Sequence, residues 1–175
     1  RATRLAQFYS ANDKTYEATV RFGLATNTYD AEGEPLGEAV EVAPAMEEVE
    51  RALQPFHGTF MQTPPPVSAK KIQGQPAYKL ARKNISFELQ PVEVTVFALE
   101  LLGLNGAELK MRVKCSAGTY VRSIAHDAGQ RLGCGAHLSA LRRTQSGPFL
   151  IDQARTLEEL AALGEDGRLR EALLP

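Results

Sequence analysis

The stretch from Cys115 to Arg143 constrains the fold most, because turn signals alternate in it with a helical pattern. Gly118 can adopt a positive φ, which other residues resist, and it predicts a tight turn after a strand. Thr119 follows where its hydroxyl could cap a helix, and Gly133 suits the end of that helix. Apolar residues at helical spacing predict one buried helix face: Val121, Ala125, Ala128 and Leu132.

Other patterns indicate a sheet packed against helices. Residues 16–22 alternate in polarity, as is typical of a half-buried strand. Two apolar runs, 92–102 and 109–115, flank Asn105-Gly106, which is the strongest short signal of a hairpin. Residues 46–53 have helical spacing. Strands interleaved irregularly with helices predict the α+β class, with a mixed, largely antiparallel sheet and flanking helices.

Composition excludes several classes of protein. A length of 175 residues with 43% hydrophobic and 23% charged residues is typical of a soluble globular domain. A net charge of −1 means that any RNA-binding surface must come from local clusters of basic residues. The sequence shows neither a signal peptide nor a long apolar run, so we expect a cytoplasmic protein. Cys115 and Cys134 lack CxxC spacing, which favours reduced thiols over a zinc site.

Three blocks of residues resemble the TruB family, the tRNA pseudouridine synthases B. Residues 115–143 contain Cys-Ser-x-Gly-Thr-Tyr-x-Arg and then Leu-Gly-Cys-Gly-Ala-His-Leu-x-x-Leu-Arg-Arg. Residues 13–33 contain Asp-Lys-x-Tyr and Gly-x-x-Thr-x-Thr-x-Asp-x-x-Gly. Residues 62–82 contain Gln-Thr-Pro-Pro-x-x-Ser-Ala-x-Lys, Gly74 and Ala-Tyr-x-x-Ala-Arg. The blocks occur in the family's order, which makes the resemblance specific.

The resemblance implies a fold and a domain organisation. The fold is part of the pseudouridine synthase fold. Residues 1–155 correspond to the C-terminal portion of the catalytic domain, with a proline-led insert near 62–84. Residues 156–175 form a short helical C-terminal segment. Within the insert, we predict a helix at 76–83 from the sequence.

The activity that the resemblance implies is isomerisation of uridine-55 in the TΨC loop of tRNA. The uridine must leave the RNA stack before its C1′–N1 bond can be reached. A carboxylate attacks, the uracil detaches and rotates, and it rejoins the sugar through C5. This chemistry requires no metal and no redox cofactor. The implied partner is the TΨC stem-loop, with no membrane, and the intact enzyme is expected to be monomeric.

The resemblance implies catalytic roles for Tyr16 and Arg122. Tyr16 would pack against the target base and exchange a proton, although by position alone it could be a packing residue of a strand. A phenol has a pKa of about 10, so this role requires a perturbed environment or a concerted transfer. Arg122 would clamp the nucleophilic aspartate, lowering the pKa of that carboxyl and fixing its oxygens. The simpler alternative for Arg122 is a surface ion pair.

Two further residues are implied to bind the extruded nucleotide. Tyr120 would contact the nucleotide, and Leu141 would form an apolar wall against the base. From the sequence alone, Tyr120 could equally be a core residue, and a core residue is the simpler interpretation of Leu141. Tyr120 and Arg122 are roughly 200° apart on a helix, so both can face one pocket only if the helix begins irregularly.

Basic residues are candidates for phosphate contacts, although each could be an ordinary surface charge. Contacts of this kind position an RNA without specifying its sequence. The candidates include a cluster from Lys70 to Arg82. The full set is Lys14, Lys70, Lys71, Lys79, Arg82, Arg142 and Arg143.

The family's nucleophile lies in a Gly-Thr-Leu-Asp-Pro type motif that this sequence does not contain. Asp13, Asp30, Asp127 and Asp152 stand in other contexts, and Asp30 has the pattern of an Asx turn. We therefore expect the nucleophile to come from a segment N-terminal to this sequence, so that this chain alone is inactive. Two alternatives remain: a non-catalytic RNA-binding module that retains the pocket, and an assembly subunit that docks through a sheet edge.

Overall fold

The computed structural model describes residues 4, 6–68, 71–72, 75–76 and 89–172. These residues contain eight strands. The strands are β1 Lys14–Phe22, β2 Gly58–Gln62, β3 Lys71–Ile72, β4 Gln75–Pro76, β5 Val92–Asn105, β6 Glu108–Cys115, β7 Ala136–Ser146 and β8 Phe149–Leu150.

The same residues contain four α-helices: α1 Ala6–Ser10, α2 Met46–Leu53, α3 Val121–Leu132 and α4 Leu157–Glu165. Short 3-10 turns occur at Gln54–Phe56, Ile151–Gln153 and Leu169–Ala172. The helices predicted at 46–53 and after the Gly118 turn are confirmed. The helix predicted at 76–83 lies outside the described residues except for Pro76, which belongs to β4.

Six strands form one sheet in the order β2-β5-β6-β1-β7-β8, and all its neighbouring strands are antiparallel. The predicted hairpin is present, since Asn105 of β5 pairs with Glu108 of β6 across Gly106. β3 and β4 form a separate two-stranded sheet. The predicted α+β class with a largely antiparallel sheet is therefore confirmed.

One face of the large sheet carries the core. In β6 every second residue is buried, and the buried residues of β1 alternate in the same way. The buried side chains face α2 and α3, which also pack against each other. The opposite face of β6 carries Lys110, Arg112 and Lys114, all exposed to solvent. The alternation thus gives the sheet one helix-covered face and one polar face.

α3 lies unusually close to β7. A Cβ atom added at Gly129 would lie 2.2 Å from the backbone nitrogen of Ala136, so only glycine allows this approach. Gly118 has a φ of 84°, as the predicted turn requires. Together these two glycines fix where α3 begins and how near it lies to the sheet.

None of the helices that the structure describes is long and apolar enough to span a bilayer.

Candidate active site

Arg122, in the first turn of α3, joins three segments of the chain. Its Nη1 donates to Asp30 Oδ2 at 2.6 Å and to the Thr28 carbonyl at 3.1 Å. Its Nη2 donates to the Val67 carbonyl at 2.9 Å. A cation is unfavourable at a helix N-terminus, because the macrodipole prefers an anion there. The carboxylate of Asp30 and the two carbonyl dipoles compensate for that position.

Asp30 supplies the carboxylate through a tight loop. Its Oδ1 accepts from Thr28 Oγ1 at 2.5 Å and from the Glu32 amide at 3.2 Å, which is the Asx turn that the sequence predicted. Its Oδ2 is left to bind Arg122, and the sequence gave no indication of that contact. The side chains of Asp30 and Arg122 are 24% and 23% exposed, so this ion pair is largely screened from water.

An open cavity of about 690 Å³ lies beside this ion pair. It is lined by loop residues between Asn27 and Glu34, by Pro66 and Val67, and by Arg122. The guanidinium of Arg122 therefore bridges the two loops that form the walls. The cavity has the size of a pocket for a small organic group or a nucleobase.

Gln62 holds Tyr120 outside the helix. The Gln62 side chain is buried, and it donates to the Tyr120 carbonyl at 3.0 Å and accepts from the Tyr120 amide at 2.8 Å. Tyr120 is the N-cap residue of α3, with an extended backbone. Because Tyr120 is not in a helical conformation, the separation of roughly 200° expected between residues 120 and 122 of a helix does not apply to its side chain.

The predicted cap at Thr119 is wrong. α3 begins one residue later than such a cap requires, with Tyr120 as its N-cap residue, and no side chain caps it. The Thr119 hydroxyl instead lies 3.2 Å from the Ser116 hydroxyl, within the turn that precedes the helix. Ser123 adds a second link to the segment after β2, donating to the Thr63 carbonyl at 2.9 Å.

Tyr16 and Leu141 lie on the helix-covered face of the sheet. Tyr16 pairs with Arg143 of β7, and Leu141 pairs with Ala18, which is the next residue of β1 on the same face. Leu141 is 47% exposed, so it is not the core residue that its type would suggest. An exposed leucine beside Tyr16 fits the apolar wall implied by the resemblance.

The environment of Tyr16 keeps its hydroxyl protonated. Burial raises the pKa of the Tyr16 phenol and the nearby Cys115 raises it further, while the charge of Arg143 acts in the opposite direction. A phenol with a raised pKa is a weaker acid and is neutral at pH 7. Tyr16 in this environment is therefore suited to donating a hydrogen bond or to a concerted proton transfer.

Among the candidate phosphate contacts, the structure describes the side chains of Lys14, Arg142 and Arg143, and these do not share one surface. Lys14 donates to the carbonyls of Ser10 and Asn12 at 2.5 and 2.6 Å, so its ammonium already has partners in the chain. Arg142 pairs with Glu17, one residue away from the Tyr16–Arg143 pair, and thus lies on the opposite face of the sheet from Arg143. The structure describes only the backbone of Lys71, and Lys70, Lys79 and Arg82 lie outside the described residues.

The described residues contain no group of three or more His, Cys, Asp or Glu side chains that could hold a metal ion. Both cysteines are free thiols; Cys115 is buried and Cys134 is partly buried. The cavity beside Arg122 brings its guanidinium together with the Asp30 carboxylate, whereas Tyr16, Tyr120 and Leu141 are not among the residues that line it.

Two family models together cover the chain. Residues 1–121 match the model described as the TruB family pseudouridylate synthase N-terminal domain. Residues 122–175 match the model of the tRNA pseudouridylate synthase B C-terminal domain. The boundary between the two models falls immediately before Arg122.

Two curated relatives carry the same name. A tRNA pseudouridine synthase B of Solibacter usitatus is 57% identical over 175 residues, covering 100% of this chain and 60% of the relative. The enzyme of the same name from Francisella philomiragia is 46% identical over 170 residues, covering 97% of this chain and 56% of the relative. The chain thus spans little more than half the length of the relatives it matches.

Chains in two solved structures share the fold. A chain in the crystal structure of a Cbf5-Nop10-Gar1 complex matches with a TM-score of 0.72 and 29% identity, covering 99% of this chain and 45% of that one. A chain in an H/ACA RNP bound to a substrate RNA containing 2′-deoxyuridine matches with a TM-score of 0.68 and 26% identity, covering 99% and 43%. On its sequence and its fold, this chain belongs to the TruB family of pseudouridylate synthases, a family of isomerases.

Proposed function

We propose that this chain forms most of the active site of a tRNA pseudouridine synthase acting on uridine-55 of the TΨC loop. The nucleophilic aspartate is supplied by a segment N-terminal to this sequence. In the reaction the C1′–N1 bond breaks, the uracil rotates, and C1′ bonds to C5. The proton leaves C5 and N1 gains one, so atoms and electrons balance without a cofactor.

The observation that carries this proposal is the guanidinium of Arg122 at the cavity wall. An arginine has five N–H donors. Asp30, Thr28 and Val67 together accept three hydrogen bonds from Arg122, so two donors remain within the contacts that the described residues make. Two N–H groups are what a second carboxylate needs for bidentate binding. The site therefore has the capacity to orient a nucleophilic aspartate.

The remaining site residues have roles in holding the flipped uridine. Tyr16 lies beside the base and shares a proton with it in a concerted step, because its phenol is neutral at pH 7. Leu141 covers one face of the uracil, and Tyr120 contacts the nucleotide. Among the basic candidates whose side chains the structure describes, Arg143 is the best candidate for RNA, since it lies on the same face as Tyr16; the Lys70–Arg82 cluster stays a candidate from the sequence.

The proposed domain division is the one that the sequence resemblance implies, and it differs from the boundary between the two family models, which lies between residues 121 and 122. Residues 1–155, including the insert near 62–84, belong to the catalytic domain, and residues 156–175 form a C-terminal helical segment. The intact enzyme acts as a monomer in the cytoplasm, with the TΨC stem-loop as its RNA partner.

Tritium release from C5-labelled uridine in a TΨC stem-loop tests the proposal, because C5 loses its hydrogen only when the new bond forms. Two proteins are compared. One is this chain alone, and the other is a fusion that places the N-terminal part of the Solibacter usitatus enzyme before Arg1. We expect release from the fusion, and RNA binding without release from the chain alone. Release from the chain alone would overturn the proposal that the nucleophilic aspartate lies outside this sequence.

Two substitutions in the fusion test the assigned roles. We expect Arg122→Ala to reduce the rate by about 100-fold or more, because the attacking carboxylate loses its orientation. Arg112→Ala is the matched control, since Arg112 is also paired with carboxylates but is exposed on the polar face of the sheet. RNA binding without release from the fusion would instead favour a non-catalytic RNA-binding module.

A further inference from the structure

Tyr29 has a backbone conformation that a tyrosine rarely adopts. Its φ is +67°, in the left-handed region, and it is the only non-glycine residue with a positive φ in the described part of the chain. For a bulky residue this conformation is strained. It persists only where the surrounding contacts enforce it, and such residues concentrate at functional sites.

The contacts that hold Tyr29 come from β7 and α3. The Leu138 amide donates to the Tyr29 carbonyl at 2.9 Å, and the Ala31 amide donates to the Leu138 carbonyl at 3.1 Å. The Tyr29 ring stacks on the His126 ring, with 3.7 Å between ring centroids and 12° between the planes. The loop is thus fixed on both sides of Asp30 by its backbone and at Tyr29 by its ring.

His126 lies one turn after Arg122 on α3, so the two side chains share a face of the helix. Arg122 contacts Thr28 and Asp30, while His126 contacts Tyr29 between them. Neither Tyr29 nor His126 lines the cavity beside Arg122. Burial lowers the pKa of His126, which keeps the ring neutral at pH 7 and suited to stacking.

We propose that Tyr29 and His126 are positioning residues, whose stacked rings hold the left-handed turn that presents the Asp30 carboxylate to Arg122. Without the stack, Tyr29 relaxes to a negative φ, and the direction of the following Asp30 changes with it. The effect on catalysis rests on the proposed function, since it acts through Arg122. The effect on the loop does not.

The experiment compares aromatic and non-aromatic substitutions in the fusion described above. His126→Phe and Tyr29→Phe retain stacking, whereas His126→Ala and Tyr29→Ala remove it. His57→Ala, a change at an exposed histidine at the end of the Gln54–Phe56 turn, is the control. For each variant we would measure kcat and KM with the TΨC stem-loop, and hydrogen exchange at the amides of Ala31 and Leu138.

We expect the alanine variants to lower kcat about tenfold with little change in KM, and to speed exchange at both amides about tenfold. The phenylalanine variants should restore both readouts, and combining the two alanine substitutions should add little to either alone. The inference is overturned if phenylalanine is as damaging as alanine, or if exchange rises while kcat stays unchanged. An inactive unsubstituted fusion would count against the proposed function, and the exchange rates alone would then decide this inference.

Discussion

Arg122 and Arg112 are two arginines paired with carboxylates in different surroundings. Arg112 donates to Glu17 and to Glu100, each at 2.9 Å, across neighbouring strands on the polar face of the sheet. Its side chain is 45% exposed, and its partners are as exposed or more so. Arg122 is 23% exposed, has one carboxylate partner, and also binds two backbone carbonyls from separate loops.

From this difference we infer that burial, and not the number of charged partners, determines how much each arginine contributes to the free energy of unfolding. An exposed pair contributes about 0–1 kcal/mol, because water and salt screen the charges. Removing one member of a largely buried pair costs more, because the other charge and its hydrogen-bonding groups lose their partner. Arg112 lies on the polar face of the sheet, whereas Arg122 connects α3 to two separate loops.

Alanine substitution should separate the two arginines most strongly. We expect Arg122→Ala to lower the free energy of unfolding by about 2–4 kcal/mol, because Asp30 and two carbonyls lose their donor. Arg112→Ala should cost at most about 1 kcal/mol. Urea denaturation of both variants measures the difference. Equal losses would show that the burial of Arg122 has no energetic consequence.

Lysine substitution should give a smaller difference. Lysine keeps the charge but lacks the planar fork, so it cannot reach Asp30, Thr28 and Val67 together. We expect Arg122→Lys to lower the free energy of unfolding by about 1–2 kcal/mol, and Arg112→Lys by less than about 0.5 kcal/mol. A fully stable Arg122→Lys protein in the same denaturation experiment would mean that charge alone suffices.

Asp127 extends the comparison to a partly buried carboxyl of α3 whose neighbouring positive charge is Arg131. Burial raises its pKa from 3.8 to about 6, and the opposing charge of Arg131 does not cancel the shift. The folded state therefore holds the proton more tightly than the unfolded state. The stabilisation is complete below pH 4 and is lost as the pH rises through about 6.

Asp127→Asn should remove this pH dependence. We expect the natural protein to lose stability relative to the Asp127→Asn variant between pH 4 and pH 7, as measured by denaturation at each pH. Parallel stability curves for the two proteins over that range would rule out a raised pKa at Asp127.

Salt should produce the smallest effect. Double-mutant cycles measure the coupling energy of Arg112 with Glu17 and of Arg122 with Asp30. Between low salt and 1 M salt, where the Debye length is about 3 Å, the Arg112 coupling should fall to near zero. The Arg122 coupling should change by less than half, because its partners are shielded from the solution. An identical salt dependence would show that salt screens the two ion pairs equally, despite their different exposure.

Much of the fold could be predicted from local patterns. The alternation in β1, the Asn105-Gly106 turn and the helical spacing of α2 and α3 are signals that neighbouring residues carry, and the structure confirms each. The failed cap at Thr119 is instructive, because α3 begins one residue later, at an N-cap Tyr120 whose backbone is held by Gln62, 58 positions away. Local signals could not reveal a contact over that distance.

The sequence identified a candidate site residue, Arg122, but it did not predict the contacts that this residue makes. The family resemblance drew attention to Arg122, and the structure gives that arginine a cavity and partners. Its pairing with Asp30 was missed, because an Asx turn explains the Thr-x-Thr-x-Asp pattern without using both carboxylate oxygens. The roles of Tyr16, Tyr120 and Leu141 stay predictions until activity is measured.

The three acceptors of Arg122 also have a consequence for how the chain folds. They precede it in sequence by 94, 92 and 55 residues. Contacts of such long range close large loops, whose entropic cost delays them until other structure has formed. We therefore expect the Arg122 contacts to be absent from the folding transition state. Their loss would then accelerate unfolding while leaving the rate of folding nearly unchanged.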